Sequence, residues 1–246
     1  MTVRVTPISF ICILLIFLQL ASCTTQRKIG FEQQTTYLST PETLYPPADL
    51  IIATQNAWTR AYYPTRIKVF KEQPLQLHDI VFLGNSITEQ GGDWGERLNK
   101  EHVKNRGIAG DVTDGVLARL REVVYVKPPA VFIEIGINDL FNPTLTPERT
   151  ANNIIRIADT IKKYSPRTRI FVQTIFPTKN DFLVSKISKT NELLRNYKKN
   201  RPYTLIETHT LFADSADLMN KELTKDGVHL NEKGYAIWVN YLRKFF

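Results

Sequence analysis

Short apolar runs recur along the chain after residue 79, and stretches with one apolar face at helical spacing separate them. The first run, Ile80-Val81-Phe82-Leu83, ends in Gly84, as is typical of a buried parallel strand. Similar runs cover residues 130–137 and 169–175, and weaker ones cover 103–108 and 204–207. Strands that alternate with helices predict an α/β fold, in which helices cover both faces of a parallel sheet.

Two of the intervening stretches carry helix-start signals. Thr146-Pro147-Glu148 supplies an N-cap residue, a proline at the first helical position and an early acid. Asn231 can cap a last helix whose apolar face includes Tyr235 and Trp238. We therefore predict helices that begin at residues 147 and 232.

The first 22 residues predict a signal peptide. Arg4 gives a positive start, and the apolar stretch over residues 8–20 is shorter than the roughly 20 residues that a spanning helix needs. Leu20-Ala21-Ser22-Cys23 resembles the lipobox of bacterial lipoproteins. We therefore expect cleavage before Cys23, lipidation of Cys23 and a lipid-anchored place in a bacterial cell envelope. An ordinary signal peptide followed by an incidental cysteine is the alternative.

The rest of the chain divides into three predicted parts. Residues 23–50 are polar, rich in Thr, Gln and Pro, and without periodicity, which is typical of a tether. Residues 51–78 form a predicted helical N-terminal extension, in which Pro64 should start or kink an element. The catalytic domain is expected to span residues 79–246.

Composition narrows the classes of function. With 246 residues, 43% of them hydrophobic, the chain can form one large α/β domain. Cys12 lies in the predicted leader, so the mature chain would carry Cys23 alone, without a disulfide framework or a cysteine-ligated metal. The net charge is +8, but basic pairs such as Lys162-Lys163 lie in helical patterns, as on a solvated face. We expect no nucleic-acid partner.

Polar fragments follow the ends of the predicted strands or lie near the C-terminus. In open α/β sheets, ligands bind outside the carboxyl ends of the strands, which is where such fragments would meet. The fragments are Gly84-Asn85-Ser86-Ile87, Gly110-Asp111, Gly136-Ile137-Asn138-Asp139 and Asp226-Gly227-Val228-His229.

These fragments contain the groups needed for acyl transfer. Ser86 is a candidate nucleophile, and a serine hydroxyl needs a base within hydrogen-bond reach, for which His229 is the candidate. Asp226 lies three residues before His229 and can reach Nδ1, which leaves Nε2 for Ser86. Taken alone, Ser86 could be a helix cap and Asp226-Gly227 an ordinary turn. Their joint occurrence at these positions favours a catalytic triad.

The same fragments supply candidate oxyanion donors, namely the backbone N–H groups of Ser86 and Gly110 and the side-chain amide of Asn138. Loss of one such donor costs on the order of 3 kcal/mol in the transition state. Phosphate binding is disfavoured because the loop at Gly84 lacks a Gly-Lys-Ser/Thr ending. The aspartates show no metal-binding spacing, so we predict no metal.

Other residues near these fragments have weaker predicted roles. Glu134 is an acid inside an apolar strand, and we expect it to have a partner and a structural role. His209 follows the presumed fifth strand and has no partner placed as Asp226 is, so a structural role or a place at the pocket rim is expected. Trp94 and Tyr125 could stack on sugars, although core packing is the commoner role of such residues.

From residue 79 to the C-terminus, the fragments resemble the four blocks of the SGNH hydrolases, also called the GDSL esterase/lipase family. Ile108-Ala109-Gly110-Asp111 and residues 226–235 further resemble the branch that contains the platelet-activating-factor acetylhydrolase catalytic subunits and bacterial acetylesterases. The resemblance implies a three-layer α/β/α sandwich around a five-stranded parallel, flavodoxin-like sheet. It also implies no cofactor. The implied site residues are the triad Ser86, His229 and Asp226 and the oxyanion donors Ser86, Gly110 and Asn138.

Asn85 departs from the resemblance, since the family most often has Asp there. Asparagine keeps the size and an acceptor oxygen but removes the charge, and no proposed proton transfer involves residue 85. We expect activity to persist.

The expected function is a serine acetylesterase that removes O-acetyl groups from carbohydrates. A lysophospholipase or an acyl-thioesterase would use the same triad with a longer acyl groove. A non-catalytic glycan-binding lipoprotein on the same scaffold is the alternative from another class.

Overall fold

The computed structural model describes residues 41–197 and 202–246. The predicted signal peptide (1–22), the predicted lipidation residue Cys23 and residues 24–40 of the predicted tether lie outside the described residues. No helix within the described ranges is both long enough and apolar enough to cross a membrane.

Five parallel strands form one sheet in the order β2-β1-β3-β4-β5. Strand β1 pairs with β2 and with β3, so that Ile80 lies beside both Val103 and Ala130. This is the flavodoxin-like order, which confirms the predicted fold class. The strands are β1 (Ile80–Gly84), β2 (Val103–Gly107), β3 (Ala130–Glu134), β4 (Arg169–Gln173) and β5 (Thr204–Ile206).

Helices connect the strands and flank the sheet. The helix predicted to begin at residue 147 does so, and the Thr146 hydroxyl caps it by accepting the backbone N–H of Arg149 at 3.2 Å. Asn231 caps the last helix in the same way, through the N–H of Gly234 at 3.0 Å. The helices are α1 (Ala57–Glu72), α2 (Ser86–Glu89), α3 (Trp94–Leu98), α4 (Thr113–Ala118), α5 (Leu120–Val126), α6 (Ile137–Phe141), α7 (Pro147–Tyr164), α8 (Val184–Asn196), α9 (His209–Phe212) and α10 (Glu232–Leu242).

The two faces of the sheet carry chemically different cores. Alternate residues of a strand point to opposite faces, so Val131 joins an aliphatic core under α5, α7 and α8. Phe132 joins an aromatic core on the other face, where it stacks on Phe82 with ring centroids 4.9 Å apart. The aromatic core includes Trp94 of α3 and Trp238 of α10, whose rings meet edge to face at 4.9 Å.

The segment before the sheet is part of the same packed structure. Helix α1 lies within the predicted extension and continues through Pro64, so no element starts at that residue. Within the predicted tether 23–50, the described residues include Tyr45, whose side chain is buried and donates to Glu122 Oε1 at 3.0 Å. The part of the predicted tether around Tyr45 therefore packs onto the domain.

Candidate active site

Ser86 lies at the point where β1 passes into α2. The Asn85 Oδ1 atom accepts the backbone N–H of Ile87 at 2.8 Å, so the capping bond expected of residue 85 is present without a carboxylate. A side chain at Gly84 would collide with the Glu134 carbonyl of β3 and with Thr88, so this close approach requires glycine. The turn fixes Ser86 at the carboxyl end of β1.

The structure joins Ser86, His229 and Asp226 in one hydrogen-bonded chain. His229 Nε2 lies 2.8 Å from Ser86 Oγ, and His229 Nδ1 lies 2.7 Å from Asp226 Oδ2. The other carboxylate oxygen of Asp226 accepts the backbone N–H groups of Val228 and His229, each at 2.9 Å. The loop before α10 therefore holds the carboxylate and the imidazole in one fixed arrangement.

The charge on Asp226 favours one arrangement of protons on the imidazole. Partial burial raises the pKa of this carboxyl, but hydrogen bonds from the His229 side chain and from two backbone amides outweigh it and lower the pKa to about 2. A charged carboxylate can only accept, so the Nδ1 atom of His229 carries a hydrogen. The neutral ring then presents an unprotonated Nε2 to the hydroxyl of Ser86.

Gly110 lies in the turn after β2. Its φ is +74°, and a side chain there would collide with the Thr59 hydroxyl, so both conformation and space require glycine. Thr59 of α1 donates to the Gly110 carbonyl at 3.3 Å. Within the described ranges, the Gly110 N–H donates to no other residue. That group remains able to bind an oxygen of a substrate.

A buried ion pair supports the Gly110 turn. Asp111 is fully buried, and its Oδ2 lies 3.1 Å from the Arg119 guanidinium. Gln55, which precedes α1, donates to Asp111 Oδ1 at 2.9 Å. Arg119 also donates to the Gly84 carbonyl at 3.0 Å. These contacts link the turn at Ser86 to the turn at Gly110.

Asn138 lies at the start of α6, and its Nδ2 atom donates to the Asp111 carbonyl at 2.9 Å. The next residue, Asp139, accepts the Thr113 backbone N–H at 3.0 Å and also the Thr113 hydroxyl. Burial raises the pKa of the Asp139 carboxyl to about 7, against the effect of the Thr113 hydrogen bonds. The Asn138 amide keeps a second N–H beyond the one that binds Asp111.

A cleft of about 450 Å³ opens beside these two fragments. Gly110 and Asn138 form part of its wall, and residues 54–56 form another part. Sequence reasoning missed this contribution of the segment before α1. The helical spacing of Thr59, Tyr62 and Arg66 was the available signal. Thr59 contacts Gly110, and the other two contact Glu89 at the end of α2.

The expected partner of Glu134 is absent from the described part of the chain, and His209 has an unforeseen one. Glu134 is fully buried, but neither carboxylate oxygen has a partner among the described residues, and burial raises its pKa to about 8. A carboxyl with this pKa stays neutral at pH 7, which avoids burying a charge. His209 has a partner that we did not expect, because its Nε2 lies 2.7 Å from Asp217 Oδ1.

The two aromatic residues considered for sugar stacking have different positions. Trp94 is fully buried, and its Nε1–H donates to the Thr88 carbonyl at 3.0 Å. It belongs to the aromatic core and cannot contact a substrate. Tyr125 is 46% exposed on α5, but it does not line the cleft beside Gly110.

Within residues 41–197 and 202–246, no group of three or more His, Cys, Asp or Glu side chains is placed to hold a metal ion. The chemistry that the described residues can support is that of a hydroxyl, an imidazole, a carboxylate and several N–H donors. Such groups are suited to the attack of a hydroxyl on an acyl carbonyl.

Residues 82–237 match the model of the GDSL-like lipase/acylhydrolase family. The platelet-activating factor acetylhydrolase IB subunit alpha2 of Homo sapiens is 31% identical over 166 residues, which are 64% of this chain and 71% of that protein. The alpha1 subunit of Rattus norvegicus is 28% identical over 166 residues, which are 64% and 70% of the two chains. A GDSL-like lipase from Bacteroides thetaiotaomicron shares the fold with a TM-score of 0.65 and 24% identity, over 75% of this chain and 97% of that one.

Proposed function

Because the chain belongs to the GDSL-like lipase/acylhydrolase family and is an ester hydrolase, we propose that it uses Ser86, His229 and Asp226 to remove acetyl groups from carbohydrates. The observation that supports the triad most directly is the hydrogen-bonded chain, with 2.8 Å from Ser86 Oγ to His229 Nε2 and 2.7 Å from Nδ1 to Asp226.

In the proposed reaction, Ser86 Oγ attacks the ester carbonyl carbon while its proton moves to His229 Nε2. The carbon–oxygen bond to the alcohol then breaks, and His229 returns the proton to the departing alcohol. Water attacks the acyl-serine in the same way, and acetic acid leaves. Asp226 stays charged throughout and stabilises the imidazolium that forms in each half of the reaction.

The proposed oxyanion donors are the backbone N–H groups of Ser86 and Gly110 and the Asn138 amide. The Gly110 N–H is not used by another described residue, and the Asn138 amide is oriented by its bond to the Asp111 carbonyl. Donors that the fold fixes in advance stabilise developing charge without reorganising during the reaction.

Two observations support a small acyl group and a polar alcohol. The relatives at 31% identity are named as acetylhydrolases. The cleft beside Gly110 and Asn138 is lined largely by amide and hydroxyl side chains, which suit a sugar better than a long acyl chain.

A lysophospholipase is the second candidate, and a different cleft favours it. This cleft of about 390 Å³ adjoins Asp226 and combines apolar Leu218 and Met219 with lysines. Lys179, Lys221 and Lys225 line it together with two carboxylates, those of Asp214 and Asp226. Three lysines against two aspartates leave a small positive excess, and together with the apolar surface this suits an acyl chain with an anionic headgroup.

The test is hydrolysis of p-nitrophenyl acetate, butyrate and octanoate by the chain from Thr24 onward. Ser86→Ala is the test variant, and Ser188→Ala, an exposed serine of α8, is the matched control. We expect the highest kcat/KM for acetate and a loss on the order of 10⁴-fold or more in Ser86→Ala alone. Preference for octanoate would favour the lysophospholipase, and equal rates in both variants would refute the triad.

Covalent labelling separates an enzyme from a glycan-binding protein. A fluorophosphonate should add its mass to the peptide that contains Ser86, and Ser86→Ala should abolish the label. Glycan binding without any labelling of Ser86 would favour the non-catalytic alternative.

We also propose that a lipid on Cys23 anchors the enzyme in a bacterial cell envelope, as residues 20–23 suggest. Mass spectrometry of the mature N-terminus should find a diacylglyceryl cysteine. A mature chain that begins elsewhere would refute the anchor and leave the proposed reaction untouched.

A further inference from the structure

The cleft beside Gly110 and Asn138 has walls from two distant parts of the chain. Residues 54–56 form one wall, and Phe141 and Asn142 at the end of α6 form another. The segment 54–56 precedes residue 82, where the match to the family model begins. This wall is therefore a property of this chain that the family match does not contain.

The composition of the cleft is neutral and polar. Its lining side chains include amides from Gln55, Asn56 and Asn142, and none of the described residues that line it is charged. The nearby carboxylates are paired with arginines: Asp111 with Arg119, and Asp114 with Arg149 at 2.8 Å. A neutral cleft of this kind neither selects an anionic group nor offers the apolar surface that a long acyl chain requires.

An aromatic ring completes the cleft. The Phe141 side chain is 38% exposed and meets Phe182 edge to face, with ring centroids 6.2 Å apart. An exposed ring beside several amide groups offers an apolar face for the C–H side of a pyranose and hydrogen-bond partners for its hydroxyl groups.

Contacts to the core fix the wall formed by residues 54–56. Thr54 donates from its hydroxyl to Asp114 at 2.7 Å, and its carbonyl accepts the Asn142 amide at 3.4 Å. Gln55 is held by its bond to buried Asp111. Asn56 caps α1 through its Oδ1 atom, at 2.8 Å from the Thr59 N–H, so its amide hydrogens remain available. Because this wall is already fixed before the ligand arrives, binding loses less conformational entropy.

We propose that residues 54–56 and Phe141 form a subsite for the uncharged sugar of an acetylated carbohydrate, positioned so that its ester lies against Gly110 and Asn138. This proposal rests on the proposed function, because it assigns the alcohol part of the ester to a defined surface. Phe141 stacks on the sugar ring, and the Asn56 amide donates to a sugar hydroxyl.

The test measures binding of acetylated xylobiose, an uncharged sugar ester, by calorimetry in the Ser86→Ala background, where no turnover occurs. Phe141→Ala and Asn56→Ser are the test variants, since serine keeps the helix-capping oxygen and removes the amide. Phe141→Tyr keeps the aromatic face. Tyr125→Ala removes a similarly exposed aromatic residue outside the cleft.

We expect Phe141→Ala and Asn56→Ser each to raise the Kd about tenfold, while Phe141→Tyr and Tyr125→Ala keep the parental Kd. Thermal unfolding of each variant establishes that it is folded. The subsite is refuted if the parental protein does not bind the sugar, if neither test variant weakens binding, or if Tyr125→Ala weakens binding as much.

Failure of this proposal and failure of the proposed function give different results. If hydrolysis of p-nitrophenyl acetate depends on Ser86 but the Kd for the sugar is unchanged in Phe141→Ala and Asn56→Ser, the subsite is refuted and the esterase function stands. Sugar binding that depends on Phe141 and Asn56, without ester hydrolysis by the parental chain, keeps the subsite and refutes the reaction.

Discussion

The molecule contains two histidine–aspartate pairs with the same separation and different second partners. His229 Nδ1 lies 2.7 Å from Asp226, and His209 Nε2 lies 2.7 Å from Asp217. The remaining nitrogen of His229 meets the Ser86 hydroxyl at 2.8 Å, whereas that of His209 meets the Ile175 carbonyl at 2.8 Å. A hydroxyl can donate or accept, but a carbonyl can only accept.

This difference determines what each imidazole can do. His209 contacts the Ile175 carbonyl through Nδ1 and the Asp217 carboxylate through Nε2, so both of its ring nitrogens are used in holding the end of β4 to the segment 213–219. His229 makes both hydrogen bonds as a neutral ring with its hydrogen on Nδ1, so its Nε2 can take a proton. An aspartate beside a histidine is therefore insufficient to identify a base, and the second partner decides.

The largest expected effect is loss of the proposed base. His229→Ala should lower kcat for p-nitrophenyl acetate on the order of 10⁴-fold or more, because Ser86 would lose its proton acceptor. His209→Gln is the matched control and should leave kcat near the parental value. Comparable losses in both variants would mean that the two pairs do not differ as the geometry indicates.

Replacing the aspartate of each pair should likewise lower kcat for Asp226 and not for Asp217. Asp226→Asn should lower kcat on the order of 10³-fold, because an amide at residue 226 can donate to the imidazole and favour the tautomer that cannot accept from Ser86. Asp217→Asn should have little effect on kcat. Steady-state kinetics of both variants, with unfolding curves to show that they are folded, measures the contrast.

Acidification should remove activity through a single proton. The pKa of Asp226 is lowered to about 2 from its ordinary 3.8, so this carboxylate stays charged well below neutral pH and does not cause the first loss of activity. Log kcat/KM should therefore fall with a slope of one per pH unit on the acid side. The contribution of Asp226 to stability is complete above pH 3.8 and is lost as the pH falls towards 2. A slope of two would show that more than one group takes up a proton as activity is lost.

The smallest expected effect is on stability. His209→Gln should lower the free energy of unfolding by about 1–3 kcal/mol, because glutamine cannot hold both Ile175 and Asp217 and leaves a buried polar group unpaired. His229→Gln, at a more exposed residue, should change it less. Urea unfolding of the two variants measures this difference, and a larger loss for His229→Gln would contradict the structural role of His209.

Several parts of the site could be predicted because their signals are local. Gly84-Asn85-Ser86 follows an apolar run, and Asp226 precedes His229 by three residues, a spacing that one turn can close. The pair His209–Asp217 was missed because eight residues and a left-handed turn at Asp217, with φ +63°, separate its members. No periodicity in the sequence indicates such a contact.

Glu134 shows where a reliable rule fails. An acid in an apolar strand normally has a partner, but this carboxyl is buried beside residues that offer it none within the described chain, and it stays neutral. The sequence indicates that residue 134 is in a strand, but its surroundings depend on which segments cover that face of the sheet.

The sequence by itself determined the strands, the capped helices and the identity of the reactive groups, because these depend on residues within one or two turns of each other. Only the tertiary structure decided that Ser86 meets His229 across 143 residues, and that residues 54–56 form a wall beside Gly110. Such contacts depend on how distant segments pack on one sheet, and packing depends on the shape and burial of whole surfaces.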